Sequence, residues 1–143
     1  MGTRGAIAHG VTGMRAAYMR GAYFFMATDR DRIDAHLPLR PVEFHILLSL
    51  ATADRHGFGI IEDIEMRGDV AVPDVGTMYR ALARMVESGL IEAAPSPHSA
   101  DPRRSYYRIA ALGVRVAKAE ARRLDALAHA ARLGGLLDKK KTT

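Results

Sequence analysis

The chain has no cysteine and no tryptophan among its 143 residues. Without cysteine there is no disulfide, no thiolate metal ligand and no thiol nucleophile, a composition that suits a reducing cytosol. Without tryptophan, an indole sandwich for flat ligands is excluded. No apolar run approaches the roughly 18 residues that a membrane-spanning helix needs. The apolar patch at residues 22–27 is shorter than the roughly 7–15-residue core of a secretory signal, and no small-residue cleavage site follows it. The expectation is a cytoplasmic protein with no membrane partner. Acidic residues are the minority charge, 16 against 21 lysines and arginines, for a net charge of +5. A small basic domain favours an anionic partner, nucleic acid among them.

Apolar residues make up 48% of the chain, enough for one domain with a modest core. Residues 1–36 read as an N-terminal arm. Residues 1–13 are rich in Gly, Thr and Ala with no lasting period and read as disordered. Residues 14–28 suit a helix with Met14, Tyr18, Ala22 and Phe25 on one side, weakened by Gly21. Two roles stand open for this arm: a frayed segment packing a few aromatics on the body, or an added helix that extends a dimer interface.

Regular order is expected from residue 37. In "LPLRPVEFHILLSLATA", Pro41 suits a first helical turn, where its missing N–H costs nothing. Val42, Phe44, Ile46, Leu47, Leu48 and Leu50 follow almost without a gap. A helix apolar on most sides is buried on most sides, so this one should be central. "ADRHGFG" breaks the run. "FGIIEDIEMRG" then predicts a second helix with Ile60, Ile61 and Ile64 inward and Gly68 at its end.

After a short connection through Pro73, Asp74 is placed to cap a third helix. In "VGTMYRALARMVESGLIEAAP", Met78, Leu82, Met85 and Val86 mark its buried face. Thr77, Arg80 and Arg84 fall three and four apart on another face. Gly89 stands where a left-handed residue ends the helix. "LIEAAP" and "SYYRIA" read as two short strands around the polar loop "SPHSADPRR", a hairpin with a basic tip. The last helix carries Val114, Ala117, Ala121, Leu124, Ala128 and Ala131 at alternating spacings of three and four, a heptad-like seam. Gly134 and Gly135 stop it, and residues 135–143 form a flexible basic tail.

Helix, helix, helix, hairpin, long helix is the layout of a winged helix-turn-helix. The fold class is therefore mainly α with a small β hairpin (α+β): a winged helix-turn-helix at residues 37–110 and a long C-terminal dimerisation helix at 111–134. In that layout the third helix is offered to the major groove of double-stranded DNA, and the hairpin, or wing, lies beside it. The face of Thr77, Arg80 and Arg84 is then the one left for a phosphate-lined groove.

"LLSLATADRHGFGIIEDI", "VGTMYRALARMVESGLIE" and "RRSYYRIAALGVRVAKAE", in this order and at these separations, resemble the PadR family of transcriptional regulators, in its smaller type with one C-terminal helix. The likeness runs over residues 39–133. It implies a homodimeric repressor whose C-terminal helices cross between subunits, and an inducer bound near the dimer interface that alters the spacing of the wings. Tyr79 is similar to the family's motif tyrosine, which packs on the helix-turn-helix and reaches the DNA backbone. Two departures stand out. His56-Gly57-Phe58-Gly59 replaces the family's HGY-Glu, without the phenol hydroxyl. Arg80 replaces a frequent proline and adds a donor to the groove-facing surface.

The residues expected to meet DNA are Thr77, Tyr79, Arg80, Arg84, His98, Arg103 and Arg104. A guanidinium can grip a guanine edge with two bonds or clamp a phosphate, and either suits Arg80 and Arg84; a solvated face paired with Glu87 is the plain alternative. Thr77 suits a phosphate contact or support of the helix cap. Arg103 and Arg104, placed at the start of the second strand, should point to opposite faces, one toward DNA and the other toward Glu87 or Glu92. Tyr106 and Tyr107 should split likewise, one inward and one outward. His98 sits at the wing tip, where exposure to solvent is the ordinary case.

An enzyme is not expected. His45 and Ser49 lie four apart in a buried helix with no carboxylate to complete a triad, and no nucleophile elbow is present; His45 reads as a satisfied structural histidine. His98 and Asp101 alone make a poor metal site, and no phosphate-binding loop is found. No cofactor and no metal are called for. One other role remains distinct from operator binding, a winged-helix protein-interaction module without specific DNA binding; a sensor of small hydrophobic or aromatic molecules between the Ala-rich helices is compatible with repression.

Overall fold

The computed structural model describes residues 28–68 and 73–139. The expectations for residues 1–27, for the connection at 69–72 and for the end of the tail at 140–143 lie outside the described residues. Two compact units divide the chain, one up to Ala35 and one from His36 onward. In the first, a short helix α1 (Asp29–Asp34) begins at Thr28, whose hydroxyl accepts the Asp31 N–H while the Asp31 carboxylate reaches back to the Thr28 N–H. This reciprocal cap satisfies two N–H groups that the helix cannot.

The second unit runs α2 (Pro41–Thr52), β1 (Arg55–His56), α3 (Gly57–Met66), α4 (Val75–Glu87), β2 (Ile91–Ala94), β3 (Tyr106–Ile109) and α5 (Ala111–Leu133). Pro41 opens α2 at its first turn as its fixed φ favours. The helix is central: it packs against α3, α4, α5 and β3. Ile46, Leu47 and Leu50 are buried with Ile60 and Ile64 of α3, with Met78, Ala81, Leu82 and Met85 of α4, and with Leu90, Ile91 and Val116. Each large side chain of these withdrawn from water contributes about 1.5–3 kcal/mol, and Ala81 less, so this cluster is what fixes α4 in place. Leu48 departs from the all-round burial expected of α2 and is exposed.

Ser49 and His45 are polar residues of α2, four positions apart. Ser49 is fully buried, and neither its Oγ nor Nδ1 of His45 has a hydrogen-bond partner among the described residues. His45 is therefore not the satisfied histidine that its position in an apolar helix suggested. Burial, with the Arg67 guanidinium nearby, pushes its pKa below the ordinary histidine value.

The sheet is antiparallel and three-stranded, in the order β1-β3-β2. In the hairpin Ile91 faces Ile109 and Ala94 faces Tyr106. The third strand, β1, falls where the sequence shows only a break in the helical run. Two residues carry no strand signal of their own; Arg55 and His56 become a strand by pairing with Tyr107 and Tyr106. Ion pairs hold this edge: Arg108 reaches Asp54 at 3.3 Å, and Asp63 receives Arg55 at 3.5 Å and Arg67 at 2.8 Å.

In α5 the buried residues are Gly113, Val116 and Glu120, and none of them belongs to the seam read from the sequence. Glu120 is a core carboxylate: it accepts the Leu39 N–H and the Arg123 guanidinium. From Ala121 to Leu133 no residue is buried, and Leu124, Leu127 and Leu133 are exposed.

Candidate nucleic-acid interface

The third helix of the helix-turn-helix, α4, begins where the sequence placed it. Asp74 is its cap: Oδ1 accepts the Thr77 N–H at 2.9 Å and Oδ2 accepts the Thr77 hydroxyl at 2.7 Å. These two bonds hold the Asp74 carboxyl below its usual pKa, with the Arg80 charge adding to them. The helix closes through Gly89 at φ 80°, a conformation that favours glycine.

Met78, Ala81, Leu82 and Met85 form the buried face, a spacing of three, one and three. Val86, assigned from sequence to that face, is exposed, and Ala81 holds its place. The reason is geometric: Ala81 lies within the arc spanned by Met78, Leu82 and Met85 at 100° per residue, whereas Val86 falls at its margin.

Thr77, Arg80 and Arg84 share the other side. Thr77 is committed to the cap, and its Oγ1 also accepts from Arg80 Nη2 at 3.2 Å. Arg80 is exposed and Arg84 half-buried. Among the described residues neither makes an ion pair, so the pairing with Glu87 considered above does not form. Two cations in no direct ion pair, although the Asp74 carboxylate lies near Arg80, on a helix bound to the core by its opposite side, are chemically suited to a polyanion.

Tyr79 lies against the start of α3. A Cβ on Gly57 would stand 2.7 Å from its Oη, so the ring rests on bare backbone that only glycine provides. Phe58 meets the same ring edge-on, with centroids 6.5 Å apart. On the sheet side stands Tyr107, whose pKa is raised by burial and by the neighbouring Tyr79. Tyr79, Phe58, Tyr107, Arg103 and Arg104 line one cleft of about 430 Å³ between α4 and the wing.

The wing departs from expectation in detail. Arg103 and Arg104 precede β3 instead of opening it, so strand alternation does not govern them. Arg103 is held by Asp101, through its N–H at 2.9 Å and its Nε at 3.3 Å, and not by Glu87 or Glu92. Those bonds keep the Asp101 carboxyl below its usual pKa. Arg104 turns to His56, with Nη1 3.2 Å from Nε2. Tyr106 and Tyr107 do diverge, Tyr106 edge-on to His56 at 5.2 Å, but both are half-buried and neither is fully inward. His98 is exposed in the turn at the wing tip.

Sequence reasoning missed His56. It caps α3, Nδ1 accepting the Gly59 N–H at 3.0 Å, and it touches the wing through Arg104 and Tyr106. The signals were its position directly before a helix start and its match to the histidine of the family's HGY; histidine is not a residue that advertises a cap. Of the seam on α5, Val114, Ala117, Ala128 and Ala131 are half-buried, and Ala121 and Leu124 are exposed. None of the six is among the buried residues of the helix. Among the described residues there is no cluster of histidines and carboxylates suited to a metal, and no helix long and apolar enough to cross a membrane.

The geometry agrees with its relatives. No curated protein matches the chain. Among solved structures, a transcriptional regulator from Clostridium thermocellum is 28% identical, over 62% of this chain and 84% of that one, with a TM-score of 0.54. A PadR family transcription regulator from Clostridium difficile is 24% identical over 64% and 95%, with a TM-score of 0.57. A PadR-like transcriptional regulator from Bacillus cereus is 23% identical over 69% and 93%, at 0.56. The family model described as transcriptional regulator PadR-like matches residues 46–119, just over half of the chain.

Proposed function

The chain belongs to the PadR-like family of transcriptional regulators, and we propose that it acts as a homodimeric repressor of a palindromic operator, relieved by a small hydrophobic or aromatic inducer. The observation that carries the DNA reading is the outer side of α4, where Arg80 and Arg84 have no ion-pair partner among the described residues while the helix is anchored by Met78, Ala81, Leu82 and Met85. Arg80 and Arg84 enter the major groove; Arg103 and Arg104 follow the backbone from the wing, and His98 approaches it at the tip. Thr77 supports the cap and steadies Arg80. Tyr79 bridges helix and wing.

The second half of α5 supports the dimer. A helix of 23 residues is about 35 Å long, and its stretch beyond Glu120 has no fully buried residue, only half-buried and exposed ones. The seam of Val114, Ala117, Ala121, Leu124, Ala128 and Ala131 is the face we assign to the second copy. The small alanines leave room between crossing helices for an apolar ligand. A twofold axis sets the two α4 helices about 34 Å apart, the separation of successive major grooves on one side of a duplex.

A gel-shift with the DNA flanking its own coding region tests this reading. A shifted complex with two chains per duplex, competed poorly by unrelated DNA, is the expected result. A folded dimer that gives no shift at low salt would favour a protein-interaction module instead.

A further inference from the structure

The cleft between α4 and the wing holds two groups whose hydrogen bonds do not close. Nδ1 of His56 accepts the Gly59 N–H. A neutral imidazole carries one N–H, so the proton then sits on Nε2, where it is a donor. Facing it at 3.2 Å is Nη1 of Arg104, and a guanidinium only donates. The opposite tautomer moves the conflict to Gly59, and protonating the ring gives two donors in place of one. Every assignment leaves donor against donor.

An oxygen with free lone pairs resolves the conflict by accepting from both. The surroundings suit an anionic oxygen. No carboxylate is among the residues that line the cleft; the nearest one identified, Asp101, is held by the Arg103 N–H and Nε. The Tyr79 hydroxyl, on the same wall, makes no hydrogen bond among the described residues, so a further donor is available there.

We propose that this cleft seats one phosphate of the DNA backbone, whose oxygens accept from His56 Nε2–H and from the Arg104 guanidinium. The proposal rests on the DNA-binding reading above and adds to it a residue outside the set expected from the sequence to meet DNA. His56 then has two tasks. It caps α3 through one ring nitrogen and meets the phosphate through the other, so the helix-turn-helix and the wing grip the same point of the strand. The phosphate bears no sequence information, so its contribution is register and affinity.

The test uses full-length protein and a mixed-sequence duplex long enough for a dimer. Arg104→Gln removes the exposed charge. His56→Asp keeps an acceptor for the Gly59 N–H but sets a carboxylate against Arg104 and repels the phosphate. Each variant should lose about tenfold in affinity, by the same factor on any sequence, and the slope of log affinity against log salt should become shallower by about 1 per subunit. In a series of duplexes with single neutral methylphosphonates, one position should weaken the wild type and leave Arg104→Gln unaffected.

If the wild type binds the duplex and Arg104→Gln keeps its affinity and slope, the phosphate seat is overturned and the DNA reading stands. If the wild type does not bind duplex at low salt, both fall. If inorganic phosphate shifts the His56 ring resonances while DNA binding is indifferent to Arg104, the cleft takes a free anion and the backbone assignment is overturned.

Discussion

A Cβ on Gly113 would stand 2.0 Å from the carbonyl oxygen of Leu90. That same oxygen accepts the Ala110 N–H at 3.0 Å, so the first turn of α5 is pressed against the start of the wing by backbone on both sides. Backbone cannot swing away as a long side chain can. Gly113→Ala should therefore destabilise the protein by roughly 1–3 kcal/mol. Urea denaturation should show a lower midpoint at unchanged slope; an unchanged midpoint would mean that the approach is not tight.

Glu120 and Leu39 make the second test. The buried carboxylate is the partner of the Leu39 N–H. Glu120→Ala leaves that N–H orphaned and should cost about 1–3 kcal/mol. Glu120→Gln keeps a carbonyl oxygen for it and should cost less. Equal losses in the two variants would show that the bond is not what holds residue 39.

Asp74 makes the acid side of the stability profile predictable in sign. Its folded-state pKa is lowered by its bonds to Thr77. A group lowered on folding adds stability above its unfolded pKa and loses it as the pH falls through the folded one. Thermal melts should show the wild type falling below about pH 4, with part of that fall absent in Asp74→Ala, which melts lower than wild type at neutral pH. Identical acid limbs in the two proteins would remove the cap from the account.

Leu124 tests the seam. It is 39% exposed in the single chain, so burying the remainder against a second copy contributes about 1 kcal/mol, and a carboxylate there adds the cost of burying a charge. Leu124→Glu should weaken the dimer at least tenfold by sedimentation equilibrium while leaving the helix content unchanged. A wild-type chain that sediments as a monomer contradicts the dimer outright.

Much of this molecule was legible in its sequence, and the exceptions share a cause. Asp74, Met78 to Met85 and Gly89 report a helix because cap, period and stop are all local in the chain. Pro41 and the run to Leu50 likewise announce a central helix. Val86 was misplaced because one apolar residue at the edge of a face does not reveal where the core ends. Arg55 and His56 form a strand only because β3 is beside them, and Arg103 finds Asp101 because the turn, not the strand, orders it. Glu120 repeats the lesson: a charged residue on a basic helix reads as solvated until a backbone N–H from Leu39 meets it. The seam on α5 has a period, but none of its residues is among the buried ones of the described chain, so its use as a dimer face is a proposal that one chain does not test.

The most direct measurement is equilibrium binding to the DNA flanking the coding region and to a scrambled duplex, across a range of salt, for wild type, Arg84→Ala and the Arg80→Ala/Arg84→Ala pair. If a dimer touches about 8 phosphates, log affinity falls with log salt at a slope near −7. If Arg84 reads a base, its loss costs about 1–3 kcal/mol on the flanking DNA alone; an equal loss on both duplexes places it on phosphate. The account predicts a steep salt dependence and a marked loss in the double variant. Affinity indifferent to salt and to both substitutions would contradict it.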